Sequence, residues 1–82
     1  MRKLEVLSER RRECLFHINE WFGVFEDLNR GPFVREIAEM MNISDSVARH
    51  HIEHLIAQEL LYRPRRKGSG VWLTEVGRGM FE

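Results

Sequence analysis

Apolar positions recur at spacings of three and four through the first third of the chain, then in two shorter tracts. They end in two brief apolar runs on either side of a basic loop. Cys14, Leu15, Ile18, Trp21, Phe22, Phe25 and Leu28 fall on one broad face at helical spacing, which predicts a first long helix running to about Leu28. Ser8 is its natural N-cap, with Glu9 near the positive end of the helix dipole. Residues 1–7 precede this pattern and read as an N-terminal arm, leaving 8–82 as a single folded domain. Phe16 lies on the face opposite the apolar stripe, either as an exposed aromatic or as part of a second contact surface. Asn29-Arg30-Gly31-Pro32 ends the helix, since Gly supplies a left-handed cap and Pro blocks continuation.

Phe33 either begins the next helical region or forms a one-residue strand against the later hairpin. Val34, Ile37, Ala38 and Met41 share a face and predict a short second helix over 34–41, with Ala38 small where two helices pack closely. Asn42-Ile43-Ser44 is a turn. Ser44 caps a third helix, Asp45 to Gln58, whose buried stripe is Ala48, Ile52, Leu55 and Ile56. Its opposite face presents Ser46, Arg49, His50 and Glu53, with Asp45 and Val47 at the edge. Leu60–Arg63 and Val71–Thr74 are strand-like runs, and Gly68-Ser69-Gly70 at the tip of the connection permits positive φ. The register that decides whether Trp72 or Leu73 packs inward is open at this level. After Thr74 the two glycines at 77 and 79 argue against a robust last helix. The pattern as a whole predicts a mainly α domain with a small β-hairpin (α+β): a three-helix core and a two- or three-stranded wing.

Length and composition narrow the class. With 82 residues, 43% hydrophobic and 32% charged, the chain is expected to be one soluble globular domain. Its one cysteine cannot form an internal disulfide, and its start lacks an apolar signal core. No apolar run approaches a membrane span. These observations point to the cytoplasm. Met1 argues against loss of an N-terminal part, while a C-terminal continuation stays open. The formal net charge is zero, which weighs mildly against nucleic acid as a partner, but the charges are unevenly placed. Arg63, Arg65, Arg66 and Lys67 crowd the hairpin without an acid, Arg10-Arg11-Arg12 stand near the start, and acids concentrate between Glu13 and Glu39. Two helices at a sharp angle followed by a basic hairpin suit docking on duplex DNA. The third helix would enter the major groove and the hairpin would straddle a phosphate strand.

Four stretches carry a family resemblance. Leu7-Ser8-Glu9-Arg10-Arg11-Arg12-Glu13, Gly31-Pro32-Phe33-Val34-Arg35-Glu36-Ile37-Ala38, Ile43-Ser44 through Leu55, and Gly70-Val71-Trp72-Leu73-Thr74 resemble the DNA-binding domain of LexA-type repressors. That domain is a winged helix-turn-helix, and the Arg35-Glu36-Ile37-Ala38 motif is shared with MarR- and ArsR-type regulators. The resemblance spans about residues 7–74 and implies base reading by Ser44, Ser46, Val47, Arg49 and His50. The LexA peptidase domain is absent, so neither self-cleavage nor dimerisation through it is implied. The residue types at the reading positions differ from those of LexA, so its operator is not the expected target.

The side-chain chemistry fits these positions. Arg49 can contact guanine O6 and N7 in bidentate fashion, Ser46 is promiscuous, Val47 can meet a thymine methyl, and His50 can donate to guanine or phosphate. Arg63, Arg65, Arg66 and Lys67, with Ser69 beside them, are assigned to the phosphate backbone. His50 and His54 at i, i+4, and Cys14 and His17 at i, i+3, have metal-ligand spacing, but neither pair alone makes a closed tetrahedral site, and a core or groove-facing histidine is the default reading. No metal, cofactor or catalytic function is expected: there is no phosphate loop and no nucleophile–base pair. The expectation is a sequence-specific regulator of double-stranded DNA in the cytoplasmic nucleoid. One small domain reads few base pairs, so a homodimer or a partner protein is expected too. The alternative is a winged helix serving as a protein–protein module in a transcription or replication assembly.

Overall fold

The computed structural model describes residues 7–81. Helix α1 spans Glu9–Val24, a 3-10 turn covers Glu26–Leu28, α2 spans Val34–Met41 and α3 spans Asp45–Ala57. Strands β1, Leu61–Tyr62, and β2, Trp72–Leu73, are followed by a short α4, Glu75–Gly79. The molecule is therefore mainly helical with one small antiparallel hairpin. No described helix is long and apolar enough to cross a membrane.

Three of the four described helices begin where the sequence offers a side-chain cap. The Ser8 hydroxyl accepts from Arg11 N–H, the Ser44 hydroxyl from Val47 N–H and the Thr74 hydroxyl from Gly77 N–H. At α2 the cap residue is Phe33, whose side chain has no acceptor. Glu36 instead reaches back to Phe33 N–H at 2.8 Å, giving half of a capping box. The α2–α3 turn is closed by Asn42 in the left-handed region, with Ile43 N–H donating to the Ala38 carbonyl. That turn sets α2 and α3 against each other, and α1 packs across both.

The core is formed by Leu15, Ile18, Ile37, Ile52, Leu55, Leu60 and Leu61, all essentially without solvent exposure, joined by Cys14, Ala38, Ala48, Val71 and Leu73. Leu61 pairs with Leu73 and Tyr62 with Trp72. This register turns both leucines into the core and sends Trp72 outward, where its ring lies 5.0 Å from Phe22 of α1.

Several expectations are corrected. The first helix stops at Val24, and Phe25 and Leu28 are 44% and 48% exposed rather than part of the buried stripe. Without a helix beyond Val24, the three-and-four spacing no longer holds them on one side. Of the expected arm, residues 1–6 lie outside the described residues, while Leu7 is buried in the core. Only two residues of each strand-like run pair as strands, and the contact expected at Phe33 falls one step earlier. Gly31 N–H donates to the Ser69 carbonyl at 2.7 Å, and Val71 N–H to the Pro32 carbonyl at 2.9 Å. Finally, the tail forms α4 despite its glycines. Gly77 lies so close to the Leu60 carbonyl that a Cβ there would collide with it, so this glycine serves packing rather than breaking the helix.

Candidate nucleic-acid interface

The outward face of α3 carries Ser46, Val47, Arg49, His50, Glu53 and His54, all exposed. Ser44 sits at its N-terminal edge with its hydroxyl already engaged as the cap, which leaves its remaining lone pair and its proton for another partner. Arg49 and His50 form no hydrogen bond or ion pair among the described residues. The His50 and His54 rings meet edge to face at 4.8 Å, one turn apart. Among the described residues, no group of three or more His, Cys, Asp and Glu side chains is arranged to hold a metal ion.

The hairpin connection stands beside this face, and one ion pair ties the two together. Arg63 Nη1, just past β1, donates to Glu53 Oε1 of α3 at 2.6 Å. Beyond it, Arg65 and Lys67 are exposed and unpaired among the described residues. Arg63, Arg65, Arg66 and Lys67 line an open cleft of about 340 Å³ whose opposite wall is Phe33 and Val34 at the start of α2. A second open cleft, of about 440 Å³, lies on the other side of the loop between Arg65, Tyr62 and Trp72. The loop is thus a basic ridge with a hollow on each flank.

Ser69 does not belong to that exposed ridge. It is only 4% exposed. Its hydroxyl accepts from Arg66 Nε at 3.3 Å, and its carbonyl accepts from both Gly31 N–H and Trp72 Nε1. Ser69 therefore shapes the loop from within, braced by the exposed Arg66. Gly70, at φ +73, allows the chain to pass directly over Gly31, where a side chain on either residue would strike the other's backbone neighbourhood.

Sequence reasoning missed a structure at the base of this region. Arg30 is held by Glu36 through two hydrogen bonds, 2.7 and 3.0 Å, and lies 4.1 Å from the Phe33 ring and 5.2 Å from the Trp21 ring. The bond from Arg30 holds the Glu36 carboxyl below its usual pKa, with help from Phe33 N–H and against partial burial. This cluster fixes the start of α2 against α1. The signal available in the sequence was the Arg30–Glu36 spacing across a helix start, which is too common to single out.

On the other flank, the first turns of α1 approach the histidines of α3. Burial, and then Arg11, Arg10 and the neighbouring histidines, press the His51 pKa below its usual value. Desolvation, with Arg11 and His50, does the same to His54. Buried atoms Arg11 Nε and His51 Nδ1 have no hydrogen-bond partner among the described residues. Cys14 is buried in α1 with its thiol pKa pushed up to about 12 by burial, which makes it a poor nucleophile.

No family model and no curated protein matches this chain. Among solved structures it is similar to the crystal structure of the hypothetical protein SSo2273 from Sulfolobus solfataricus, with 27% identity and a TM-score of 0.70. The likeness covers 90% of this chain and 52% of that one, so this chain spans about half the length of that neighbour. It supports the arrangement of elements described above and carries no activity with it.

Proposed function

We propose that this chain is a winged helix-turn-helix domain, similar to those of LexA-type repressors, acting as a sequence-specific regulator on double-stranded DNA. In this reading α3 enters the major groove. Arg49 and His50, with Ser46, Val47 and the free valences of Ser44, meet base edges. Arg65, Arg66 and Lys67, with Arg63 when released from Glu53, rest on phosphates. Ser69 holds the loop in shape. The observation that carries the reading is the Glu53–Arg63 contact, which makes the exposed face of α3 and the basic loop one continuous surface. The reading places the protein with the nucleoid in the cytoplasm and treats it as a binding protein, not an enzyme.

The rival reading is a protein–protein module, favoured by the zero net charge and by apolar residues exposed away from α3, such as Val24 and Leu28. Titration of a labelled duplex at several salt concentrations separates the two. Each phosphate contact contributes about 0.9 to the slope of log affinity against log salt. Three or four basic contacts therefore give a steep negative slope, and binding without such a slope, or no binding, refutes the DNA reading.

A further inference from the structure

The face of α1 turned away from the core has an internal symmetry. Glu9, Arg12, Phe16, Glu20 and Gly23 form a stripe at spacings of three and four, opposite the buried Cys14, Leu15, Ile18 and Trp21. Phe16 stands at the middle of the helix and is 48% exposed, steadied by an edge contact with Phe81 at 6.4 Å. Arg12 lies four residues before Phe16 and Glu20 four residues after it. Neither has an ion-pair partner among the described residues. Glu9 and Gly23 are likewise equidistant from Phe16.

The charges also run against the helix dipole. The first turn, where the dipole is positive, holds Arg10, Arg11 and Arg12 against one acid, Glu9. Glu20, Glu26 and Asp27 lie at or beyond the far end, and the last turn holds no base. Inside one molecule this order is unfavourable. Beside a second copy running the opposite way, each end meets its electrostatic complement.

We propose that two copies of this chain pair through α1, antiparallel across a two-fold axis at Phe16, with Arg12 of each copy on the partner's Glu20. The interface is isologous and self-closing. The two Phe16 rings, flanked by Phe81, supply the apolar centre, and Gly23 permits close approach beside the partner's Glu9. A parallel pairing is excluded by charge, since it sets arginines on arginines and Glu20 on Glu20. Exposed ion pairs add little energy but fix orientation. The inference does not depend on DNA binding, because it concerns a different face of the molecule.

Sedimentation equilibrium of the full chain tests it, from micromolar to millimolar concentration. The mass rises from 9.8 kDa toward twice that value. Arg12→Glu and Glu20→Arg each weaken the dimer at least about tenfold, and the double variant restores it, because both reversed pairs are again complementary. Both substitutions agree with the α1 dipole, so helicity by circular dichroism is kept or raised, which separates loss of pairing from loss of fold. A chain that stays at 9.8 kDa throughout overturns the proposal. So does a dimer indifferent to the single reversals, or a double variant that stays as weak as the singles.

Discussion

Arg63 and Glu53 are ten residues apart in the chain, yet the guanidinium donates to the carboxylate at 2.6 Å. The carboxylate sits on the same helix face as Arg49 and His50, so it places a negative charge between them and the basic loop. Both side chains are about half exposed, so the pair itself adds little to stability. Its effect is to hold the hairpin connection against α3 while neutralising one of the loop's cations.

Replacing Glu53 with Gln therefore tightens DNA binding. The variant removes a charge that repels phosphate and frees Arg63 to reach one. The slope of log affinity against log salt steepens by about 0.9, and thermal stability changes by less than about 1 kcal/mol. Weaker binding by Glu53→Gln, at unchanged slope, would show the carboxylate accepting from a base instead.

Arg49→Ala and Lys67→Ala should fail in different ways. Loss of Arg49 costs about 1–3 kcal/mol on the preferred duplex and relaxes a single base position. Loss of Lys67 weakens all duplexes evenly and shallows the salt slope by about 0.9. Arg66→Ala is a less clean probe, since its Nε bond to Ser69 makes it part of the loop's framework. Competition binding against point-substituted duplexes distinguishes the two patterns.

Stability falls as the solution is acidified below about pH 6.5, the usual histidine value. The folded-state pKa values of His51 and His54 are depressed, chiefly by desolvation and then by Arg11. The unfolded chain thus takes up protons first, and the contribution present above the unfolded pKa is lost as pH falls toward the folded pKa. Glu36 acts in the same direction but only in the more acidic carboxylate range. Melting curves at pH 7.5 and pH 5.5 should show a drop that His51→Gln with His54→Gln reduces. An unchanged drop would assign the pH response to other groups.

Gly31→Ala should be among the most damaging small substitutions in the chain. Its Cβ would run into the Val71 carbonyl, and backbone at that crossing cannot yield without parting the loop from α2. A loss of more than about 3 kcal/mol is expected. Gly68→Ala has open space around it and carries only the cost of φ +75, about 1–2 kcal/mol. Chemical denaturation of both variants checks the order, and equal losses would contradict the crossing described here.

The first three described helices were legible from their apolar spacing, with capping residues in agreement at α1 and α3, while α4 was not, because its glycines read as breakers. Ser8, Ser44, the 34–41 stripe and the Ala48–Leu55 stripe each stand where expected. The end of α1 was not, because Phe25 and Leu28 continue its spacing after the chain has left the helix. The hairpin was visible as two apolar runs, but which of Trp72 and Leu73 faces inward depends on pairing across the connection. Ser69 shows the limit for site residues. It sits in sequence among exposed cations, yet its burial comes from Gly31 and Trp72, which only the fold brings to it. The Arg30–Glu36 pair was hidden for the same reason, since the rings of Trp21 and Phe33 that enclose it come from separate elements.

Selection of bound duplexes from a random pool, at two salt concentrations, tests the central claim most directly. The account predicts enrichment of one motif that persists at the higher salt, and a two-fold symmetric motif if two copies bind together. A pool that stays random at both salts, with retention lost at the higher one, would contradict sequence-specific reading by α3.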